Sequence, residues 1–206
     1  MANVNIPNGF SPIGTITGAR WNEQGRLYWI PSTDPSAYYI GDLVTSVAGC
    51  SPAGANSAYG PDLTGGVPAV QKSVSGDTVR GVIVGVGVDP TALQTISIPA
   101  TKAHDYYVRV VDDPHIIMEC TDDGITSGKL NTTAVGKNVN FTVAAPSGIV
   151  PTSASVLLSS SIATTSSLPL KIIGLKLIPG NTAAAFARWL VTFNLHELSV
   201  AGTSGV

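Results

Sequence analysis

Three histidines, at 104, 115 and 196, are the side chains best able to act as a neutral-pH base beside a serine nucleophile. Their surroundings do not build such a site. The chain has no G-x-S-x-G, and Ser159–Ser161 lie in a serine run without a glycine frame. His104 beside Asp105 and His115 after Pro114 read as exposed turn residues, and His196 reads as a sheet-face residue. The run from Gly81 through Gly85 to Gly87 lacks the G-x-G-x-x-G frame, and no helix pattern follows it to supply free amides for a phosphate. Cys50 and Cys120 have neither C-x-x-C nor Cys/His metal spacing and read as two buried or incidental thiols. No catalytic residues, no cofactor and no metal are expected.

Charge concentrates in one place. Between Ala103 and Gly124 six carboxylates face only Arg109, a local net charge of −5 against −2 for the chain. The dyads Asp112-Asp113 and Asp122-Asp123 flank a short apolar run, Ile116–Thr121. Convergent carboxylates suit a hard cation such as calcium, yet the D-x-D-x-D-G spacing is missing. The other readings are turn aspartates, since Asp-Asp-Pro and Asp-Asp-Gly form turns, and a docking patch for a basic partner. Aromatic residues cluster early, at Trp21, Tyr28, Trp29, Tyr38, Tyr39 and Tyr59. They can stack on sugar rings or anchor a protein contact, or they can fill a core.

These residues must be positioned by strands. Glutamate occurs only at 23, 119 and 197, while Val, Ile and Thr recur throughout. Strand-like runs alternate with Gly, Pro, Asp and Ser punctuation at barrel or sandwich spacing. The predicted strands are Arg26–Ile30, Tyr38–Ser46, Val67–Lys72, Val79–Val88, Gln94–Ile98, Asp105–Val111, Ile116–Thr121, Asn138–Ala144, Val156–Ser160, Leu170–Ile178 and Ala187–Leu195. The expected fold is all-β and mainly antiparallel: a β-sandwich, jelly roll or barrel-like domain with long loops. In Tyr106–Val111, alternation sets Tyr106, Val108 and Val110 against Tyr107, Arg109 and Val111. Thr182–Leu190 admits a short helix capped by Asn181.

The expected organisation is an extended N-terminal arm over 1–19, a β-rich domain over 20–198 and a flexible tail over 199–206. Ala48–Gly66 reads as a long Gly/Pro/Ser loop. The net charge of −2 argues against a nucleic-acid partner. No apolar run reaches the length that crosses a bilayer, and the start lacks a secretory pattern, so a membrane partner and export are not expected. Charged residues make up only 12% of the chain, about half the usual ~25%. The exposed surface must then be Ser, Thr, Gly and Asn, or much of it must be covered by neighbours.

Several segments carry a family likeness. NVNIPNGFSPIG at the start, AYYIGDLV (37–44), GVPAVQK (66–72), TVRGVIVGV (78–86), IPATKAHDYYVRVVDDPHIIMEC (98–120), NFTVAAPSG (140–148), TTSSLPLKIIGL (164–175) and GNTAAAFARWLVTFNLHEL (180–198) resemble the small β-rich virion structural proteins of tailed bacteriophages. Members of this group resemble capsid decoration, or cement, proteins. The resemblance implies a non-enzymatic subunit, made in the bacterial host cytoplasm, that sits on the outer head surface of the virion. It would bridge copies of the major capsid protein as a homo-oligomer, a dimer or trimer. The candidate interface residues are Asn5, Ile6, Pro7, Phe10, Trp21, Tyr39, Tyr59, Asp112, Asp113, Asp122 and Asp123. The alternative is a carbohydrate- or receptor-binding module of a tail or head fibre.

Overall fold

The computed structural model describes residues 3–52, 65–89, 92–94, 96–125, 130–146 and 151–199. Among them lie eleven strands and one 3-10 turn, Thr132–Ala134. The strands are β1 (Ser11–Thr15), β2 (Arg26–Ile30), β3 (Leu43–Cys50), β4 (Pro68–Lys72), β5 (Gly81–Val86), β6 (Tyr106–Val111), β7 (Ile116–Thr121), β8 (Asn138–Thr142), β9 (Val156–Ala163), β10 (Leu170–Leu175) and β11 (Arg188–Phe193). The fold is all-β. Strands β2-β4-β3-β5-β6 close into a barrel, and the others form a six-stranded sheet in the order β1-β7-β11-β10-β8-β9. Every pairing between named strands is antiparallel except β2 with β4.

Alternation in β6 explains the barrel. Tyr106, Val108 and Val110 point inward to join Tyr28, Ile30, Val44, Val70 and Ile83 in one core. On the opposite face, Val111 joins Leu43 and Val82 in the core that the barrel shares with the sheet, and Arg109 stays exposed. One antiparallel ladder closes the barrel, from Arg26↔Val110 to Ile30↔Tyr106. The other side of β2 is thinner, a parallel contact to β4 through the single pair Trp29↔Ala69. Beyond that pair, side chains take over. Tyr38 Oη donates to Asp34 Oδ2 at 2.7 Å and accepts the Lys72 amide at 3.0 Å. The fully buried Lys102 ammonium donates to the carbonyls of Asp34 at 2.5 Å and Ser36 at 2.7 Å.

In β11, Trp189, Val191 and Phe193 share the face that packs with Met118, Phe141, Leu157 and Ile172. The sheet curls until β9 returns to the end of β7. There Asp122 and Leu157 form a lone parallel bridge, and the Asp123 amide donates to the Leu157 carbonyl at 3.1 Å.

Three expectations change. Residues 1–19 are not one arm: Phe10 is 1% exposed, meets Phe141 edge-on at 6.0 Å, and leads into β1, which pairs with β7. The segment was hard to read because Pro12 and Gly14 interrupt any alternation, and the ladder bulges between them. The described residues of Gln94–Ile98 form no strand; the last of them makes an isolated bridge with Tyr38. Thr182–Leu190 is not helical, but a turn that runs into β11. The tail over 200–206 and most of the loop expected over Ala48–Gly66 fall outside the described residues, although β3 runs on to Cys50.

Segment 8–10 is locked where barrel and sheet meet. The Phe10 amide donates to the Gly41 carbonyl at 2.9 Å, and the Ser153 amide donates to the Ile40 carbonyl at 2.8 Å. Gly9 (φ 65°) and Gly41 (φ 92°) are both left-handed, and a Cβ on Gly9 would lie 2.6 Å from the Gly41 carbonyl oxygen. Both positions therefore require glycine.

Candidate functional site

The turn between β1 and β2 and the link between β6 and β7 face each other across an open cleft of about 640 Å³. Trp21, Arg20 and Arg26 line it from the turn, and Arg109, Asp112 and Asp113 line it from the other side. Trp21 packs partly against the sheet core and donates its indole N–H to the Gln24 carbonyl at 3.1 Å. Three candidate interface residues, Trp21, Asp112 and Asp113, thus come together. Three of the chain's five arginines join them, and sequence reasoning had not grouped these. Arg109 stood out as the lone cation on its strand face; nothing local ties it to Arg20, 89 positions away.

The acidic character read from the sequence is largely neutralised here. Asp112 Oδ2 accepts the Tyr28 hydroxyl at 2.7 Å and lies 3.4 Å from Arg26 and 3.8 Å from Arg80. Arg80 Nε donates to Tyr28 Oη at 2.8 Å, and its guanidinium reaches Glu197 at 3.7 Å. Burial raises the Tyr28 hydroxyl above its usual range, with the Asp112 hydrogen bond adding to it. Burial also works to raise Glu197, but donors from Ser46 and Thr45 together with Arg80 outweigh it and hold the carboxyl low. Its neighbour His196 is held low by burial, with the Arg80 charge adding to that, and Arg80's backbone opposing it. Asp113 accepts its own loop's His115 amide at 2.8 Å. Meanwhile Arg20 and Arg109 have no ion-pair partner among the described residues. The cleft therefore presents unspent positive charge.

The second dyad lies elsewhere and is structural. Asp122, 2% exposed, accepts four N–H groups: Phe186 at 2.7 Å, Gly124 at 2.9 Å, the Trp189 indole at 3.0 Å and Ala187 at 3.2 Å. Burial pushes its carboxyl up, and these donors pull it only part of the way back. Asp123 accepts the Ser159 amide at 3.1 Å and the Ser159 hydroxyl. The dyad thus clasps β7 to β9 and to the turn before β11, where Phe186 is held at φ 59°. Asp122 offers no surface for docking.

Asn5 and Ile6 are exposed and Pro7 is half-buried, as an interface would need, whereas Phe10 is a core residue. The Asn3 amide donates to the carbonyls of Thr182 at 2.9 Å and Ala185 at 3.0 Å, and its oxygen accepts the Thr182 amide at 3.0 Å. The start of the chain is thereby held on the β10–β11 connection. Val4 (69% exposed), Ile6 and Ile178 rim a hollow of about 320 Å³. Tyr39 is half-buried, with the Lys72 ammonium 5.2 Å from its ring centre. Tyr59 lies outside the described residues.

His115 is exposed, as expected, but His104 is half-buried, stacked 4.5 Å over Tyr106 and 3.7 Å from Asp89, and His196 is buried. Of the early aromatics, Tyr28 and Tyr38 fill the barrel and Trp29 is half-buried. Among the described residues, no three His, Cys, Asp or Glu side chains group so as to hold a metal ion. No helix of the described chain is long and apolar enough to cross a membrane. The chain matches no family model, no curated protein and no solved structure.

Proposed function

We propose that this chain is a decoration, or cement, subunit of a tailed-bacteriophage head, binding outside the assembled shell and bridging major capsid subunits. The observation that carries this reading is the apolar patch of Val4, Ile6 and Ile178, in a chain that is only 12% charged. Exposed apolar side chains clustered on a fixed surface mark a place where another protein sits. A subunit that binds only the expanded shell adds its binding free energy to that state, and a dimer or trimer at a symmetry axis would span several shell subunits.

The test is reconstitution on expanded heads that lack the protein, read by cosedimentation, by density on the outer surface and by the temperature of head disruption. Binding with a raised disruption temperature is expected. A variant lacking residues 1–7 should keep its melting temperature, because Phe10 and β1 remain, yet bind heads at least tenfold more weakly. Heads equally robust without the protein, or density at the tail tip, would overturn the proposal.

A second reading, a carbohydrate-binding fibre module, draws on the half-buried Trp21 beside Asn22 and Gln24 in the cleft. A glycan-array signal abolished by Trp21→Ala would favour it.

A further inference from the structure

The arginine-lined cleft does not end at Arg109. The same side chain borders a second groove of about 370 Å³ on the barrel wall, lined also by Leu27, Gly85, Val86, Gly87, Tyr107 and Val108. Strand pairing explains the continuity, since Arg109 stands opposite both Leu27 on β2 and Gly85 on β5. Leu27 is 39% exposed. Gly85 adds no side chain, and the stem of Arg109 passes 3.6 Å from where its Cβ would be. A stretch rich in arginine thus runs directly into an apolar one, with Arg109 as the hinge between them.

Charge fixes the sign of what binds at the first stretch. Asp112 is already engaged by Tyr28, Arg26 and Arg80, and Asp113 is the one other carboxylate in the lining, set against three arginines, so positive charge outweighs negative along the cleft. Arg20 and Arg109 are free of ion pairs among the described residues, and the Arg26 side chain is 72% exposed. Guanidinium forks match carboxylates in two-point contacts. The apolar continuation decides the class of molecule: a saccharide carries carboxylates but no aliphatic side chains to fill a groove edged by Leu27 and Val86. We infer that this double groove seats an extended polypeptide segment of a neighbouring protein, in which carboxylates precede apolar side chains. The choice of a protein partner rests on the cladding reading and names the chemistry of one of its contacts.

The probe is a fluorescein-labelled peptide, Glu-Ser-Glu-Ser-Glu-Leu-Val-Leu, titrated with the full chain and read by fluorescence anisotropy. Saturable binding is expected, weakening steeply as salt shortens the reach of charge. Arg20→Gln with Arg109→Gln should weaken it at least tenfold while the melting temperature stays put, because neither arginine has an ion-pair partner within the described chain. Gly85→Ala, whose Cβ finds ordinary contact distances, should weaken this peptide severalfold but leave the fragment Glu-Ser-Glu-Ser-Glu unaffected. No binding, equal binding of the Gln-for-Glu peptide, or indifference to the arginine pair would overturn the inference. So would oligogalacturonate that binds more tightly in an arginine-dependent way, which would assign the cleft to acidic saccharide. If heads still bind the double variant at full affinity while the peptide fails, the cladding role stands and this contact falls. Failure on heads with intact peptide binding separates the two in the other direction.

Discussion

The barrel and the curled sheet each close across one thin seam, and different side chains finish the two closures. In the barrel, β2 meets β4 through a single parallel pair, and beyond it Tyr38, Asp34 and Lys102 carry the hydrogen bonds that a longer ladder would have made. In the sheet, β9 meets β7 through the Asp122↔Leu157 bridge alone, and there the two aspartates collect backbone N–H groups from their own turn, from β9 and from the turn before β11. The barrel seam uses a neutral hydroxyl backed by a buried ion pair, whereas the sheet seam depends on carboxylates that serve four and three donors. An acceptor deep in the interior is costly to remove in proportion to the donors it leaves stranded. The comparison therefore ranks the sheet seam as the more vulnerable.

Asp122→Ala should do the most damage, because it strands the Trp189 indole and three amides at once. A loss of about 3–5 kcal/mol is expected, measured by chemical denaturation. Tyr38→Phe keeps the ring in the barrel core but strands the Lys72 amide, and should cost about 1–3 kcal/mol. If the two variants proved equally destabilised, the ranking of the seams would be wrong.

The smallest effect is one of sign with pH. His196 and Glu197, where the end of the chain meets the barrel, both have folded-state pKa values below their usual ones. Between the folded and unfolded values the unfolded chain holds more protons, so stability falls as pH drops below about 6.5 on account of His196 and below about 4.5 on account of Glu197. Asp122 is raised, so its contribution runs the other way and is lost as pH rises through its folded value. Glu197→Gln should flatten the acid loss and Asp122→Asn should steepen it, both read from denaturant midpoints across that range. The same slope in both variants would refute the opposite signs.

Parts of both the barrel and the sheet were legible because alternation is local. β2 in the barrel and β7 in the sheet begin and end where apolar runs meet punctuation, and the two faces of β6 follow from period two alone. β1 was not legible, since a strand containing Pro12 and Gly14 exists through its partner β7 rather than through its own pattern. The aspartate dyads were visible as features but not as roles. Asp112 is satisfied by Tyr28, 84 positions away, and Asp122 by Trp189, 67 away, so only the folded chain separates a neutralised cleft wall from a clasp. Trp21 stood out by type; its arginine neighbours needed the turn before β2 to swing against β6.

The paired glycines at 9 and 41 carry a consequence for descent. Most positions here can drift while keeping hydrophobicity or turn character, but neither of these backbones tolerates even a methyl group. Kin that have diverged beyond recognition in every other respect should still share this pair, together with an aromatic immediately after the first, and those marks would serve to gather them.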